Sequence, residues 1–196
     1  MVLSTFNFQL STFNYQLSTF NYQLSTINFL PSFKQMKIGI ISDTHDHVRN
    51  ITRAVSLFRK EDVRRILHAG DFCSPFTIPL FKGYEMDAVF GNNDGDHYRL
   101  MGKFLENGQS IHNEFFSTEI DGCRIALYHG TQPAITDALA RCGSYELVVS
   151  GHTHQVVNET LGETRVLNPG SAHGFDAGAT VAVYDTETRE VTIHSL

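Results

Sequence analysis

From Lys37 onward, apolar runs of strand length alternate with helical and turn segments. KIGIIS (37–42) is a short run of apolar and small residues. Residues 47–60 then carry Val48, Ile51, Ala54, Val55 and Phe58 at the spacing of an amphipathic helix. RRILHAG (64–70) predicts a second strand, SPFTIPLF (74–81) a short helix with Pro75 near its start, and DAVFG (87–91) a third strand. That order is β-α-β-α-β, the pattern of parallel strands covered by helices. The second half is richer in strands. EFFSTEI and CRIALYHG flank Asp121-Gly122, a hairpin signal, and residues 133–142 predict a helix opening at Pro133. ELVVSG, QVVNETLG, TRVLNPG, ATVAVYDT and EVTIHSL read as further strands. A second, mixed sheet packed on the first is the natural consequence. The expectation is one α/β domain over residues 36–196 with no internal linker.

The first 35 residues are a different kind of sequence. Residues 4–30 read STFNFQL, STFNYQL, STFNYQL and STINFL, a seven-residue repeat that decays in its fourth copy, and the first charged residue of the chain is Lys34. Phe6, Phe8 and Leu10 do not fall at coiled-coil spacing, and Ser, Thr, Asn and aromatic residues are poor helix formers. The local alternation F-x-F-x-L suits a strand, but an odd repeat flips the apolar face at every copy. There is neither the positive start and unbroken apolar centre of a secretory signal nor the arginine of a transit peptide. Residues 1–35 are therefore expected to be a low-complexity extension outside the fold, with Met36 as the native start.

Composition narrows the function. The net charge of -6 argues against general nucleic-acid or anionic-membrane binding. No uncharged apolar run reaches the roughly 18 residues of a membrane span. Cys73, Cys123 and Cys142 are odd in number and lack CxxC spacing, which favours reduced thiols in the cytoplasm. The ten histidines are many, so their placement matters.

Every predicted strand is followed by a side chain able to ligate a metal. Asp43 and His45 follow the first, Asp71 the second, and Asn92, Asn93 and Asp94 the third. His129 follows CRIALY, and His152 and His154 follow ELVVS. Ligands in layered α/β folds bind at the carboxyl ends of strands, so five segments deliver these groups to one edge. If the segments are extended, Asp43 with His45 and His152 with His154 point the same way. Carboxylate, imidazole and amide without thiolate suit a first-row divalent ion better than a structural zinc. Taken singly these residues carry little weight. Asp46 and Asp62 read as helix-cap or turn residues, and His68, His97, His112 and His194 as surface or satisfied core histidines. The ordered set outweighs the single readings.

In this the chain resembles the calcineurin-like metallophosphoesterase superfamily, whose pattern runs D-x-H, G-D, G-N-x-D/E, H and G-H-x-H. These stand here as Asp43-Thr44-His45, Gly70-Asp71, Gly91-Asn92-Asn93-Asp94, His129 and Gly151-His152-Thr153-His154. SDTHDH, HAGDF, FGNNDG, GHTH and NPGS make it most similar to the small bacterial and archaeal phosphodiesterases of that superfamily. The resemblance covers residues 36–196 and leaves out the extension. It implies a layered α/β/β/α sandwich of two mixed sheets flanked by helices. It also implies two divalent cations, manganese first, with nickel, iron, cobalt or zinc as alternatives. Asp43, His45, Asp71 and His154 would hold one; Asp71, Asn92, His129 and His152 the other. A metal-bound hydroxide would then attack a small phosphodiester in line. Many superfamily members have histidine where this chain has Asn93, and an amide cannot deliver a proton at neutral pH. Asn93 is thus expected to contact substrate without acting as an acid, Asp94 to brace the site, and Asn168 of NPGS to shape a turn. The alternative to an enzyme is a scaffold keeping the fold for protein contacts, as in a trafficking-coat subunit with an eroded site; the full ligand set favours the enzyme. A nuclease would want a basic groove, which the charge does not supply. Self-association is an open expectation.

Overall fold

The two faces of strand β1 (Lys37–Ile41) serve two different hydrophobic layers, which fixes its place at the centre of the molecule. Ile38 and Ile40 point into one core and Ile41 into the other, as a period of two requires. Gly39 lies where any Cβ would come 3.0 Å from the ring of Phe58, so the strand and its covering helix meet at glycine. The computed structural model describes residues 36–175 and 178–196; the heptad-repeat extension expected at 1–35 lies outside them.

The remaining elements of the first half are helix α1 (Val48–Lys60), β2 (Val63–His68), a 3-10 helix (Pro75–Phe81), β3 (Glu85–Ala88), α2 (His97–Glu106) and β4 (Ser110–Ile111). The second half supplies β5 (Phe115–Ile120), β6 (Cys123–Tyr128), α3 (Pro133–Arg141), β7 (Leu147–Val149), β8 (Val156–Leu161), β9 (Thr164–Pro169), β10 (Thr180–Asp185) and β11 (Val191–Ser195). Six strands form one sheet in the order β11-β10-β1-β2-β3-β4, with β1 to β4 parallel and β10 and β11 antiparallel. Five form the other in the order β5-β6-β7-β9-β8, with β6, β7 and β9 parallel. Helices α1 and α2 and the 3-10 helix lie on the first sheet, and α3 packs on β7 and β9 of the second. The layers are α/β/β/α, as expected from the sequence. Ile38, Ile40, Leu67 and Val89 meet Ile125, Leu127, Val149 and Leu167 between the sheets. The Asp121-Gly122 hairpin is present, with Ile120 paired to Cys123 and both turn residues at positive φ.

Four local readings are corrected. Helix α2 was not expected. Only Leu100 and Phe104 of it are buried while Met101 and Leu105 are exposed, so the amphipathic stripe is too thin to read. Residues 75–81 make a 3-10 helix, because Pro79 has no N–H for an α-helical ladder. Strand β3 ends at Ala88 instead of Gly91, the chain peeling away so that Phe90 donates to the Asn113 carbonyl. Of the two roles expected for Asp46, the turn holds and the cap of α1 does not. His47 caps that helix, its Nδ1 accepting the Asn50 N–H, while the Asp46 carboxylate holds the N–H and hydroxyl of Ser74 at 3.0 and 2.5 Å.

Candidate metal centre

Parallel strands β1 and β2 end side by side, and the loops beyond them are stitched together. Asp43 N–H donates to the Gly70 carbonyl at 3.0 Å and His45 N–H to the Asp71 carbonyl at 3.1 Å. On the other sheet β6 and β7 end beside them, and the His152 N–H donates to Asp43 Oδ2 at 3.1 Å. Thus the carboxyl ends of strands from both sheets converge.

The loops are not extended. Asp43, His45, Asp71, His152 and His154 all have φ between 39° and 66°, the left-handed region. Each such non-glycine residue costs on the order of 1–2 kcal/mol, and such strain concentrates at functional sites. This corrects the reason given above for the paired side chains. Asp43 with His45, and His152 with His154, enter one cleft through tight left-handed turns, not through an alternating strand.

Close approach to the backbone is built in. A Cβ on Gly91 would lie 2.1 Å from Asp71 Oδ1, and one on Gly151 would lie 1.8 Å from Ser42 Oγ and 2.6 Å from Asp43 Oδ2. Only glycine lets the two carboxylates occupy their positions.

Asp71 lies between two groups of side chains. Its Oδ2 is 3.3 Å from His45 Nε2, and its Oδ1 is 3.5 Å from His129 Nε2. Asp43 Oδ1 faces His45 Nε2 at 3.9 Å and His154 Nε2 at 3.4 Å. On the other side His129 Nε2 faces Asn92 Oδ1 at 3.0 Å, and the His152 ring centre lies 5.2 Å from that of His129. The other five candidate ligands therefore lie around the two buried aspartates, Asp43 and Asp71. Nitrogens and carboxylate oxygens of Asp43, Asp71 and His129 approach within 4.8 Å of one another, the reach of a shared cation.

The donor set fits divalent metal. Asp43 Oδ1 and His45 Nε2 are buried and make no hydrogen bond. His129 Nδ1 stands 2.7 Å from the Ala69 carbonyl, which can only accept; Nδ1 must carry a proton, and Nε2 turns to the cleft. In a neutral ring that nitrogen is a lone pair facing the oxygen of Asn92, and a cation between them resolves the opposition. The facing carboxylates of Asp43 and then Asp71 raise His45 to about 9. Burial alone would lower His129, but Asp71 raises it. Burial alone would raise Asp71, but His129 and His45 hold it well below the usual carboxylate range.

Further residues support these. Asn93 donates to both oxygens of Asp71, from its N–H at 2.8 Å and its amide at 2.7 Å, so its amide is directed at the carboxylate. The Asp94 carboxylate accepts four backbone N–H groups, those of Asp71, Phe72, Cys73 and Gly91. Asn168 binds the Gly151 carbonyl and the Gly170 N–H, holding the GHTH loop to the end of β9. Cys73 Sγ lies 3.3 Å from His45 Nδ1, and burial, with Asp46 next, pushes its thiol up to about 12. His68 is a satisfied core residue between Thr44 Oγ1 and the Gly70 N–H, and burial keeps it neutral. His112 meets Asp87 at 3.0 Å, and His97 stacks on Phe90.

Sequence reasoning missed His173. It is buried, and its ring stands 4.7 Å from His45 and 4.5 Å from His154. The signal was available, since β9 also ends at the cleft and His173 follows its Pro169 by four residues.

The calcineurin-like phosphoesterase superfamily domain matches residues 36–189. Phosphodiesterase MJ0936 of Methanocaldococcus jannaschii is 38% identical over 159 residues, 79% of this chain and 96% of that protein. A solved archaeal phosphodiesterase superimposes with a TM-score of 0.79 at 37% identity, covering 82% of this chain and all of that one. The fold is shared with the Escherichia coli phosphoesterase YfcE, with a TM-score of 0.61 at 19% identity, over 82% of this chain and 99% of that one.

Proposed function

The chain belongs to the calcineurin-like phosphoesterase superfamily, and from that premise we propose that it hydrolyses small phosphodiesters with two divalent cations that share Asp71. The observation that carries the reading is the division of one buried carboxylate, with Oδ2 toward His45 and Oδ1 toward His129. Asp43, His45, Asp71 and His154 would hold the first cation. Asp71, Asn92, His129 and His152 would hold the second. Such a pair supplies Lewis acidity to the phosphoryl oxygens and lowers the pKa of coordinated water.

The chain does the rest. Two carboxylates against two dications leave the cleft positive, so it draws a phosphate anion although the protein carries -6. The Ala69 carbonyl fixes the His129 tautomer, and the turns at Asp43, Asp71 and His154 hold the ligands before a cation arrives. Imidazole, carboxylate and amide ligands suit a first-row divalent ion; the family resemblance puts manganese first, with nickel, iron, cobalt or zinc as alternatives. Among the described residues no helix is long and apolar enough to cross a membrane, and the three cysteines are unpaired. The unpaired thiols support a cytoplasmic protein, and the net charge of -6 supports a small substrate over general nucleic-acid binding.

The test is a screen of cations against aryl phosphodiesters and monoesters on the full chain, with Asp71→Asn and His129→Ala as controls. Diester hydrolysis that needs a cation and is lost in both variants is the expected result. Hydrolysis without cation, or undiminished in both variants, overturns the reading. A folded protein inert with every cation and ester supports the scaffold instead.

A further inference from the structure

We propose that His173 donates a hydrogen bond to the phosphoryl group of the substrate and is not a metal ligand. The inference rests on the two-cation reading above. By distance alone His173 belongs with the ligands, because ring nitrogens of His45, His154 and His173 lie within 4.8 Å of one another. Its hydrogen bonding separates it from the other two.

His173 Nδ1 accepts the backbone N–H of Phe175 at 2.9 Å. A backbone N–H only donates, so Nδ1 presents its lone pair there. A neutral imidazole has one proton, which must then sit on Nε2. A nitrogen that carries a proton has no lone pair to give a cation. His129 is the converse case, since a carbonyl at its Nδ1 leaves Nε2 unprotonated. The neighbour of the distal nitrogen thus makes one histidine a ligand and the other a donor.

The donor is fixed and aimed. The His173 N–H bonds the Asp43 carbonyl at 3.0 Å, and the Ala172 N–H bonds the Ser42 carbonyl at 2.9 Å. The Asn50 amide holds the carbonyls of both residues at 3.0 and 3.1 Å. The segment is therefore sewn to the loop that carries Asp43 and His45. His173 Nε2 stands 3.5 Å from His154 Nε2, which in turn faces Asp43 Oδ1 at 3.4 Å. It points at the group assigned to the first cation. With His154 holding the first cation, the His173 Nε2–H would lie beside it, within reach of a phosphoryl oxygen bound there. A preorganised neutral donor at such a place is worth most when charge builds on that oxygen. Asn93, with its amide on Asp71, is not placed to do this.

Histidine labelled with nitrogen-15 tests the assignment in the full chain, using zinc alone and then zinc with inorganic phosphate. His173→Gln identifies the His173 signals by their loss. Zinc is expected to move the Nε2 signals of His45, His129 and His154 to metal-bound positions while His173 Nε2 keeps its proton. Phosphate is then expected to shift that proton downfield. His173→Gln should still bind two zinc ions per chain by calorimetry, and its kcat for an aryl phosphodiester should fall about 100-fold. A His173 Nε2 that loses its proton to zinc, a variant that binds one zinc fewer, or an unchanged kcat overturns the proposal. Zinc that moves none of the ligand histidines overturns the two-cation reading and this inference with it.

Discussion

Asp94 Oδ2 accepts the backbone N–H of Asp71 at 3.0 Å, so a carboxylate that contacts no candidate ligand side chain sets the position of the central one. The same group accepts the N–H groups of Gly91, Phe72 and Cys73 at 2.7 to 2.8 Å. Burial raises its pKa, and the backbone N–H groups of Gly91 and Cys73 work the other way. Asp94→Ala strands four donors, two in buried bonds and two in part-buried ones. With about 1–3 kcal/mol for each unsatisfied buried donor, and water reaching some of them, the loss is expected to be about 3 kcal/mol or more in denaturant unfolding. Zinc affinity should fall as well.

Gly91→Ala should spare the fold and destroy the centre. The new Cβ would lie 2.1 Å from Asp71 Oδ1 and 2.6 Å from its nitrogen, so the carboxylate must move. Gly95→Ala, where nothing lies within 4 Å of the added Cβ, is the control. Circular dichroism should show both variants folded. Only Gly91→Ala should lose the rise in Tm on adding manganese.

Removing the cations should destabilise the protein. A cation at 100 times its Kd stabilises by about 2.7 kcal/mol, so excess chelator should lower Tm by several degrees in a chain of this size. Asp71→Asn should make Tm indifferent to chelator.

Asn93→His should change how rate depends on the leaving group. The wild-type amide has no proton to give, so activated aryl diesters should turn over faster than alkyl ones. The imidazole should flatten a plot of log kcat against leaving-group pKa. It also removes the 2.7 Å bond to Asp71 Oδ2, so its absolute rates are expected to fall. An unchanged slope would sink the assignment of Asn93.

One ion pair far from the cleft predicts a pH response. Hydrogen bonding to Arg124 lowers Glu146 to about 2 from its ordinary 4.5. A carboxyl lowered by folding stabilises above its unfolded pKa, and that contribution is lost as pH falls through the folded value. Glu146→Gln should therefore have a lower Tm than wild type at pH 6. The gap should close as pH is taken from 4.5 towards 2.

The alternation of elements, the second mixed sheet and the seven polar side chains that cluster at the strand ends were all legible in the order of residues. Each of these is a local property. Continuous apolar runs such as IGII mark a strand buried on both faces, and an aspartate or histidine beyond every such run forms a pattern that no single cap or turn residue makes. Helix α2 escaped because Leu100 and Phe104 are its only buried residues, too few to set a period. Only the folded chain sets which nitrogen of His129 and of His173 carries the proton in the neutral ring. In the neutral rings the Ala69 carbonyl at His129 leaves Nε2 bare, and the Phe175 N–H at His173 leaves Nε2 protonated. Ala69 is 60 residues from His129 along the chain. No pattern in the sequence near His129 carries that pairing, because a tautomer depends on whatever packing brings to the far side of the ring.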